Sequence, residues 1–341
     1  MSTSSVIDRL FAAIDRLAGT TVGVVGDLVA DLYVSGQSER VSREAPVLIL
    51  QYEQEWLRPG GAANVAANLS ALGAAACVVG LVGEDDPGRR LLDALRDGAQ
   101  SRGRMHCDDV IVAPGRETIT KTRFLAGAKL TSRQQVLRLD RQPATPPDPA
   151  LIAAIADRVR RLDRDIDAWI ISDYGYGGFD GPLRELLREI ATRKPVVADS
   201  RYSLHLFRGM TVVKPNEEEA RQVAHELSIR AADDRELATA LARQLQSRAA
   251  VVTLGYKGMV LGDDAGALHI PAVGTEEIVD LTGAGDSVAA TLTAALAAGA
   301  EIEVACRLAN HAGAIVVMKE GAATASPQEL RDSVLHREPQ P

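Results

Sequence analysis

Short apolar segments alternate with amphipathic helical segments along most of this chain, and this alternation restricts its fold more than any other feature. Apolar segments typical of buried strands lie at 21–27, 76–83, 168–175, 194–200, 210–216 and 249–255. Helical periodicity predicts helices at 64–74, 88–98, 182–193, 217–226, 234–247, 284–299 and 303–318. Because consecutive parallel strands need a crossover connection, this order predicts a mostly parallel sheet covered by helices on both faces. The predicted fold class is α/β.

Two partly polar regions interrupt the alternation. They lie at about 32–58 and about 112–141, and both are predicted to form extended strands with no helix between them. We interpret them as a small β lid inserted into the α/β core, with irregular surface hairpins as the alternative. The proline-rich segment 141–150 is predicted to lead the chain out of the second region.

The composition excludes several classes of function. The 341 residues are 46% hydrophobic, which is enough for one large α/β domain or two small ones. A net charge of −8 offers no basic field, so we expect neither a nucleic-acid nor a membrane partner. Any anionic substrate would need local cations or backbone amides.

The cysteines and the first residues bear on the compartment. Cys77, Cys107 and Cys306 are scattered, which suggests reduced thiols in a cytoplasmic protein. Residues 1–19 are typical of an amphipathic helix, because acidic residues interrupt their apolar positions. No segment approaches the roughly 20 apolar residues of a membrane span.

The segment TGAGD at 282–286 places a carboxylate between a glycine turn and an apolar helix. Gly283 and Gly285 permit close approach of the backbone, and the amides of 283–286 would point out of a helix N-terminus, where anions bind. Asp286 would then lie beside a bound phosphoryl group and accept a proton from a hydroxyl. This arrangement suits phosphoryl transfer to an alcohol, and a plain helix cap is the alternative.

A second glycine motif, RPGGAANVAANLSALGA, begins another predicted helix. Gly60 and Gly61 would admit a ligand close to the backbone. Asn64 and Asn68 are four residues apart and share one helix face, where their amides can donate to and accept from hydroxyls. The pattern suits a sugar, and a turn followed by a polar helix edge is the alternative.

Polar residues also follow two other predicted strands. Asp27 and Asp31 come just after the first strand, at the sheet edge where ligands of open α/β folds bind. Carboxylates there can hold sugar hydroxyls, although Asp27 could instead cap a turn. Asn216 and Glu219, in KPNEEEA, could orient Mg²⁺ and its waters. A helix-capping box is the alternative for this pair.

Several familiar catalytic motifs do not occur in the sequence. There is no Gly-Lys dipeptide and hence no Walker A loop, and no GxGxxG fingerprint of dinucleotide oxidoreductases. HExxH and GxSxG are also absent. These absences disfavour P-loop enzymes, dinucleotide oxidoreductases, zinc proteases and α/β-hydrolases.

Three motifs in this order, RPGGAANVAANLSALGA, KPNEEEA and DLTGAGDSVAATL, resemble those of the ribokinase-like (PfkB) carbohydrate kinases over roughly residues 20–330. The resemblance implies a ribokinase-like three-layer α/β/α core with a mostly parallel sheet and a small β-strand lid. It implies one kinase domain over 1–341, with a discontinuous lid at about 32–58 and 112–141. Lid strands often pair between subunits in this family, which predicts a homodimer.

Within the family, VVGDLVADLYVSG, TITKTRF, RQQVLRLD and ISDYG are most similar to kinases of heptose 7-phosphate. The resemblance therefore implies an ATP- and Mg²⁺-dependent enzyme that phosphorylates the anomeric hydroxyl of D-glycero-β-D-manno-heptose 7-phosphate. The chain departs from those kinases at Tyr176, where they carry a lysine, and at Arg201, in DSR, where they have DPK. A kinase for another sugar, sugar phosphate or nucleoside, and a non-catalytic sugar- or nucleotide-binding relative, remain alternatives.

The resemblance also implies roles for residues at matching positions. Asp286 matches the catalytic base, and the anion hole is matched by Gly283, Ala284 and Gly285. Sugar contacts are matched by Asp27, Asp31, Gly60, Gly61 and Asn64. Contacts to a phosphorylated sugar are matched in the lid by Lys121, Arg123 and Arg133, with solvated surface charges as the alternative. The nucleotide side is matched by Asn216 and Glu219, which support Mg²⁺ through water, and by Thr253, Gly255, Gly258 and Asn310.

Overall fold

The computed structural model describes residues 5–102, 104–127, 133–179, 181–274 and 278–337. Its helices are α1 (Val6–Leu17), α2 (Ala62–Ala71), α3 (Asp86–Arg102), α4 (Pro149–Leu162), α5 (Pro182–Ala191), α6 (Glu217–Glu226), α7 (Asp234–Gln244), α8 (Ala284–Ala297), α9 (Ile302–Val316) and α10 (Pro327–Arg337).

The strands in the described part of the chain form two sheets. They are β1 (Thr21–Gly26), β2 (Leu28–Val41), β3 (Leu48–Gly61), β4 (Ala75–Gly83), β5 (Met105–His106), β6 (Val110–Ala113), β7 (Ile119–Gly127), β8 (Gln134–Arg141), β9 (Ala168–Asp173), β10 (Val196–Ser200), β11 (Val212–Val213), β12 (Ala249–Thr253), β13 (Met259–Asp263) and β14 (Gly266–Ile270).

The larger sheet has the order β14-β13-β12-β11-β10-β9-β1-β4-β5, and β6 also pairs with β4. In this order, neighbouring strands from β12 through β1 to β5 are parallel, and β6 is parallel to β4. Strands β13 and β14 form an antiparallel hairpin at one edge of the sheet, where β13 is also antiparallel to β12. Strand β1 lies in the middle, between β4 and β9. The predicted α/β fold with a mostly parallel sheet is confirmed.

Apolar side chains pack on both faces of this sheet. Successive residues of a strand point to opposite faces, so Val24 and Ile170 join a core with α1, α2, α8, α9 and α10. Val25 and Ile171 join a second core with α4, α5, α6 and α7. Both faces are therefore covered, as parallel sheets require, and the three-layer arrangement follows.

Helix α1 is the amphipathic helix predicted at the N-terminus. The hydroxyl of Ser5 accepts from the Asp8 amide, and the Asp8 carboxylate accepts from the Ser5 amide. Leu10, Ile14 and Leu17 are buried against the body of the protein. Within the described ranges, no helix is both long and apolar enough to cross a membrane.

The second sheet is a separate four-stranded lid with the order β3-β2-β7-β8. Strands β2 and β3 are antiparallel, β2 and β7 are parallel, and β7 and β8 are antiparallel. The first lid segment is longer than predicted, spanning 28–61. The second starts only at Ile119, because Val112 and Ala113 belong to β6 in the larger sheet.

The register of the lid strands determines which side chains share a face. Asp31 of β2 is opposite Lys121 of β7, and Lys121 is opposite Asp140 of β8. Two positions along, Tyr33 is opposite Arg123. Paired residues point to the same face, so one face of the lid is charged and polar. The residues that alternate with these along β7 and β8 point to the other face of the lid; they are Thr122, Phe124, Leu137 and Leu139.

Candidate active site

A cleft of about 420 Å³ lies at the carboxyl ends of the central strands, beside the N-terminus of α8. Ligands of open α/β sheets bind at this edge. The polar residues that line the cleft include Tyr174, Asp199, Lys214, Glu219, Thr253 and Asp286. Tyr174 follows β9, Asp199 lies in β10 and Lys214 follows β11. Because these strands are parallel neighbours, their carboxyl ends bring the three side chains together.

The N-terminus of α8 requires glycine at position 283. Gly283 has φ 79°, the left-handed region, and a Cβ there would come within 2.7 Å of the Asn64 amide nitrogen. This turn starts the helix so that Asp286 lies in its first turn. Asp286 is 7% exposed, at the floor of the cleft.

Two donors hold the Asp286 carboxylate. The Asn64 side-chain amide donates to Oδ2 at 2.7 Å, and the Tyr174 hydroxyl donates to Oδ1 at 2.8 Å. Burial raises the pKa of Asp286 to about 6, while the bonds from Asn64 and Tyr174 hold it from rising further. A carboxylate with this pKa is ionised at neutral pH and remains able to accept a proton.

The Asn64 amide is itself held by neighbouring polar groups. Asn68 donates to the Asn64 backbone oxygen at 2.9 Å, and the Ser287 hydroxyl donates to the Asn68 side-chain oxygen at 2.7 Å. These buried groups join α2 to α8. The shared face of Asn64 and Asn68 predicted from the sequence therefore supports the Asp286 carboxylate, and neither asparagine is among the described residues that line the cleft.

The amides of the first turn differ in their availability. The Ala284 amide donates to the Leu281 carbonyl at 3.3 Å. Gly285 and Asp286 line the cleft, and the space where a Gly285 Cβ would stand is open for 4 Å. The first amides of a helix have no partner within the helix, so those of Gly285 and Asp286 are best placed to bind an anion.

On the lid side, Asp31 and Lys121 are buried, at 6% and 9% exposure. Arg123 donates to the Asp31 carboxylate at 2.7 Å, and Gly60 is needed because a Cβ there would lie 2.6 Å from that carboxylate. The Lys121 ammonium lies 4.9 Å from the centre of the Tyr174 ring. Burial lowers the pKa of Lys121, and the nearby Asp31 charge opposes that shift. The structure thus places Lys121 against Tyr174, with Asp31 and Arg123 as charged neighbours of Lys121.

Two of the predicted substrate contacts, Asp27 and Arg133, bind other residues of the protein. The Asp27 carboxylate accepts from the Tyr174 amide at 2.8 Å, so it caps the loop after β9, which is the alternative considered from the sequence. Burial raises the pKa of Asp27 to about 7. Its backbone oxygen accepts from the Ala62 amide, next to Gly61. Arg133 pairs with Glu53 at 2.7 Å and lies seven residues from Asp140, roughly 20 Å along the strand. Arg133 is therefore not brought to the group around Lys121.

On the opposite side, Asn216 and Glu219 form the capping box considered as an alternative. The Asn216 side-chain oxygen accepts from the Glu219 amide at 2.8 Å, and the Glu219 carboxylate accepts from the Asn216 amide at 2.9 Å. Both residues nevertheless line the cleft, and Thr253 forms an isolated bridge with Asn216. The pair therefore caps the N-terminus of α6 and also faces the cleft.

The remaining predicted nucleotide residues lie beyond Thr253. Gly255 and Gly258 have positive φ angles of 58° and 94° in the turn between β12 and β13. The Asn310 side chain, on α9, donates to the Pro271 carbonyl at 2.6 Å, just after β14. Among the described residues that line the cleft, Thr253 is present and these three are not.

No role was predicted from the sequence for Lys214, Asp199 and Tyr174, which also line the cleft. Lys214 is 3% exposed and lies 3.2 Å from the Asp199 carboxylate, and the Asp199 charge raises its pKa against the opposing effect of burial. Tyr174 contacts Asp286 directly. The available signal was positional, because all three lie at or just after the carboxyl ends of buried strands.

The donors near Asn216 suit a magnesium ion that keeps most of its waters. Burial and the Asp199 charge raise the pKa of Glu219, a repulsion that a divalent cation would relieve. Among the described residues, no group of three or more His, Cys, Asp or Glu side chains could enclose a metal. One or two protein carboxylates, completed by water and phosphate oxygens, match the usual coordination of Mg²⁺.

Comparison with known proteins identifies the family. Residues 20–125 and 183–329 match the model of the pfkB family carbohydrate kinases. A protein of Paramagnetospirillum magneticum named Bifunctional protein HldE is 39% identical over 340 residues, covering 97% of this chain and 66% of that protein. The protein of the same name from Rhodospirillum rubrum is 38% identical over 94% of this chain and 63% of its own length. The chain thus spans just under two thirds of the length of these relatives.

Solved structures share the fold. Thermotoga maritima ribokinase is 20% identical, with a TM-score of 0.70 over 93% of this chain and 100% of that one. Escherichia coli phosphofructokinase-2, in complex with substrates and products, is 18% identical, with a TM-score of 0.72 over 93% and 99%. The ribokinase-like core and lid expected from the motifs are confirmed. The chain is a sugar kinase and belongs to the pfkB family of carbohydrate kinases.

Proposed function

We propose that this kinase transfers the γ-phosphoryl group of ATP to a hydroxyl of a phosphorylated sugar. The observation that carries the proposal is the position of Asp286, a buried carboxylate at the N-terminus of α8 and at the floor of the cleft. On one side of it Lys121 lies over the ring of Tyr174, which bonds to Asp286, and on the other side Asn216 and Glu219 line the cleft. An acceptor and a nucleotide can therefore meet at this carboxylate.

The chemical step follows from this arrangement. Asp286 accepts the proton of the acceptor hydroxyl, and the hydroxyl oxygen forms a bond to the γ-phosphorus of ATP. The bond between that phosphorus and the oxygen bridging to the β-phosphate breaks, and ADP leaves with the bond electrons. The amides of Gly285 and Asp286 stabilise negative charge on the transferring group, which is the main task of a phosphoryl-transfer site.

Asn216 and Glu219 would hold Mg²⁺ through water, together with the phosphate oxygens of ATP. When bound, the ion supplies positive charge that offsets the charge of the phosphates. The carboxylate and amide oxygens of the pair suit this ion. Lys214, which is buried next to Asp199, adds a fixed cation to the same side of the cleft.

Within the class of sugar phosphates, we propose D-glycero-β-D-manno-heptose 7-phosphate, phosphorylated at its anomeric hydroxyl to give the 1,7-bisphosphate. The support is the similarity of the lid and strand-end motifs to heptose 7-phosphate kinases. An acceptor that carries its own phosphate also explains why a protein of net charge −8 buries Lys121 in the lid. Since arginine binds phosphate in a bidentate manner, Arg123 suits the same group.

A screen of ATP consumption tests the proposal. Purified protein with Mg²⁺ is assayed against sugars and sugar phosphates, including heptose 7-phosphate and its unphosphorylated parent. We expect turnover with heptose 7-phosphate and at least a tenfold lower kcat/KM with the parent sugar. Turnover of an unphosphorylated sugar, with none of any sugar phosphate, would overturn the choice of substrate. Nucleotide binding without turnover of any acceptor would favour a non-catalytic relative.

We also propose a homodimer formed through the lid, working in the cytoplasm where ATP is available. Exposed apolar side chains on β8 support the dimer, since Leu137 and Leu139 are 57% and 54% exposed on the face opposite Lys121 and Arg123. A second copy of the lid would cover them. The free thiols of Cys77, Cys107 and Cys306 suit a reducing compartment.

A further inference from the structure

Tyr174 contacts both halves of the acceptor site. Its hydroxyl donates to Asp286 Oδ1 at 2.8 Å, and its ring lies 4.9 Å below the ammonium of Lys121. The proposed step uses Asp286 as base and Lys121 as a phosphate-binding cation, and it gives Tyr174 no task. One side chain thus joins the reacting group to the group that binds the acceptor.

The backbone of Tyr174 is firmly held. Its amide donates to the Asp27 carboxylate at 2.8 Å, and the preceding residue, Asp173, is the last of β9. Asp173 in turn accepts from the Ser200 hydroxyl at 2.6 Å. With the backbone fixed at the end of a central strand, the ring has little freedom to move away from Asp286.

The lone pairs of Asp286 show what this contact achieves. A carboxylate has two oxygens with two lone-pair directions each, and Asn64 and Tyr174 occupy one direction on each oxygen. The plane of the carboxylate is therefore fixed from both sides. An acceptor hydroxyl approaching from Lys121 meets a lone pair of defined direction, which favours proton transfer.

We propose that Tyr174 is a positioning residue that holds the Asp286 carboxylate in the orientation facing the acceptor and links it to the phosphate-binding Lys121. The inference rests on the proposed function of Asp286 as the base. It assigns a specific task to the tyrosine hydroxyl, because phenylalanine would keep the ring beside Lys121 and lose only the bond to Asp286.

Electrostatics around the pair agree with this geometry. The Tyr174 bond favours the ionised form of Asp286, so it lowers the pKa of a carboxyl that burial raises. Burial and the Asp286 charge raise the pKa of Tyr174 well above its ordinary value, so the phenol stays protonated and remains a donor. The charged groups that face the pair from other elements are Asp199, Lys214, Asp31 and Lys121.

The test removes the hydroxyl and measures the carboxyl of Asp286 directly. The pKa of Asp286 is read by ¹³C NMR on full-length protein labelled at aspartate side-chain carboxyls, with Asp286→Asn to assign the signal. In Tyr174→Phe we expect that pKa, and the acid limb of kcat against pH, to move upward by about one pH unit. We also expect kcat above the limb to fall about tenfold, with KM for ATP changed less than threefold. Tyr52→Phe, the same change at a 66% exposed lid position, is the control and should move neither.

A second variant guards against a folding defect. Protein with 3-fluorotyrosine at position 174 keeps the ring and carries a more acidic phenol, a stronger donor, so the Asp286 pKa should move downward. An unchanged Asp286 pKa in both folded variants overturns the inference, because a merely structural tyrosine would alter only thermal stability. If the expected pKa shifts occur but no acceptor is phosphorylated, Tyr174 acts on the Asp286 carboxyl as inferred, and it is the proposed function that fails.

Discussion

Asn64 and Asp286 are separated by 222 residues in the sequence, yet the side-chain amide of one donates to the carboxylate of the other at 2.7 Å. The two glycine motifs that begin α2 and α8 therefore form one site. Gly283 permits this contact, since any larger residue there would collide with the Asn64 amide. The carboxylate is held in a buried position where it remains able to accept a proton.

The first prediction concerns turnover. Asp286→Asn keeps the size of the side chain and removes the base, so we expect kcat to fall by roughly 10²–10⁴-fold. Binding of ATP, measured by calorimetry, should change less than threefold, because the amides of the first turn remain. Asp157→Asn, on the exposed face of α4, is a matched control and should retain full activity. A kcat within tenfold of the unaltered protein would contradict a role for Asp286 as base.

The same variant should be more stable at neutral pH. Burial raises the pKa of Asp286 from 3.8 to about 6, so the folded state binds this proton more tightly than the unfolded state does. Stability from this group is therefore lost as pH rises from about 4 to about 6, and the loss is complete above that range. The difference corresponds to about 3 kcal/mol.

Urea unfolding measures this effect. Asp286→Asn should raise the free energy of unfolding at about pH 7.5 by up to about 3 kcal/mol, and the gain should vanish below about pH 4. A variant that is less stable than the parent protein at pH 7.5 would show that the carboxylate contributes favourably to the fold. Asp286 would then be a residue that stabilises the fold, and its burial would not be a cost that the protein accepts for function.

Much of this site could be predicted from local sequence. A glycine turn, an acidic residue and an apolar helix are adjacent in TGAGD, so the position of Asp286 in the first turn of α8 needed no tertiary information. The positions of Asp27 and Asn216 just after buried strands could be predicted from local sequence in the same way. The capping box at Asn216 and Glu219 was also readable, because its two members are only three residues apart.

Other features depend on contacts that no local pattern contains. The parallel pairing of β2 with β7 places Asp31 opposite Lys121, although 90 positions separate them in the numbering. The bond from Tyr174 to Asp286 joins β9 to α8 in the same way. Arg133 was grouped with Lys121 by its place in the lid, and only the register shows that it lies near the other end of β8.

Helix α4 and the β13–β14 hairpin are among the elements that were missed despite usable signals. Helix α4 begins at Pro149 with Asp148 at its N-cap position, a common helix start that the proline-rich context of 141–150 obscured. The β13–β14 hairpin turns through Asp263 and Gly266, where the Asp263 side chain accepts from the turn amides. Its strands are only five residues each, too short for a clear periodicity.

The third prediction separates the two glycines of TGAGD. Gly285→Ala adds a methyl group that meets nothing within 4 Å, so the free energy of unfolding should change by less than about 1 kcal/mol. The methyl group occupies the cleft above the first-turn amides, so KM for ATP should rise or kcat should fall by at least tenfold. Steady-state kinetics with a thermal melt check both.

Gly283→Ala is the contrasting variant. Its φ of 79° and the 2.7 Å approach to Asn64 make the substitution strained, so it should lower the melting temperature as well as turnover. If Gly285→Ala were as destabilising as Gly283→Ala, the open space beside Gly285 would be the wrong explanation for its role. Equal and full activity of both variants would exclude an anion site at this turn.

The fourth prediction tests recognition of the acceptor phosphate. Lys121→Met keeps the length of a 9% exposed side chain and removes its charge, so the fold should be no less stable. With a phosphorylated acceptor we expect kcat/KM to fall by about 10–100-fold, the cost of one charge-assisted hydrogen bond. KM for ATP should stay within threefold, because Lys121 lies on the lid side of Asp286. An equal loss with phosphorylated and unphosphorylated acceptors would argue against phosphate binding.

The last prediction concerns the apolar face of the lid. Leu137 and Leu139 are more than half exposed, and β8 is the last strand of the lid sheet. If a second copy covers them, Leu137→Ser with Leu139→Ser should convert a dimer into a monomer in light scattering, since burial of two leucines contributes several kcal/mol. Gln135→Ser, on the same strand, is the control and should remain dimeric. A parent protein that is monomeric at micromolar concentration would contradict the proposal, because an interface this apolar should persist on dilution.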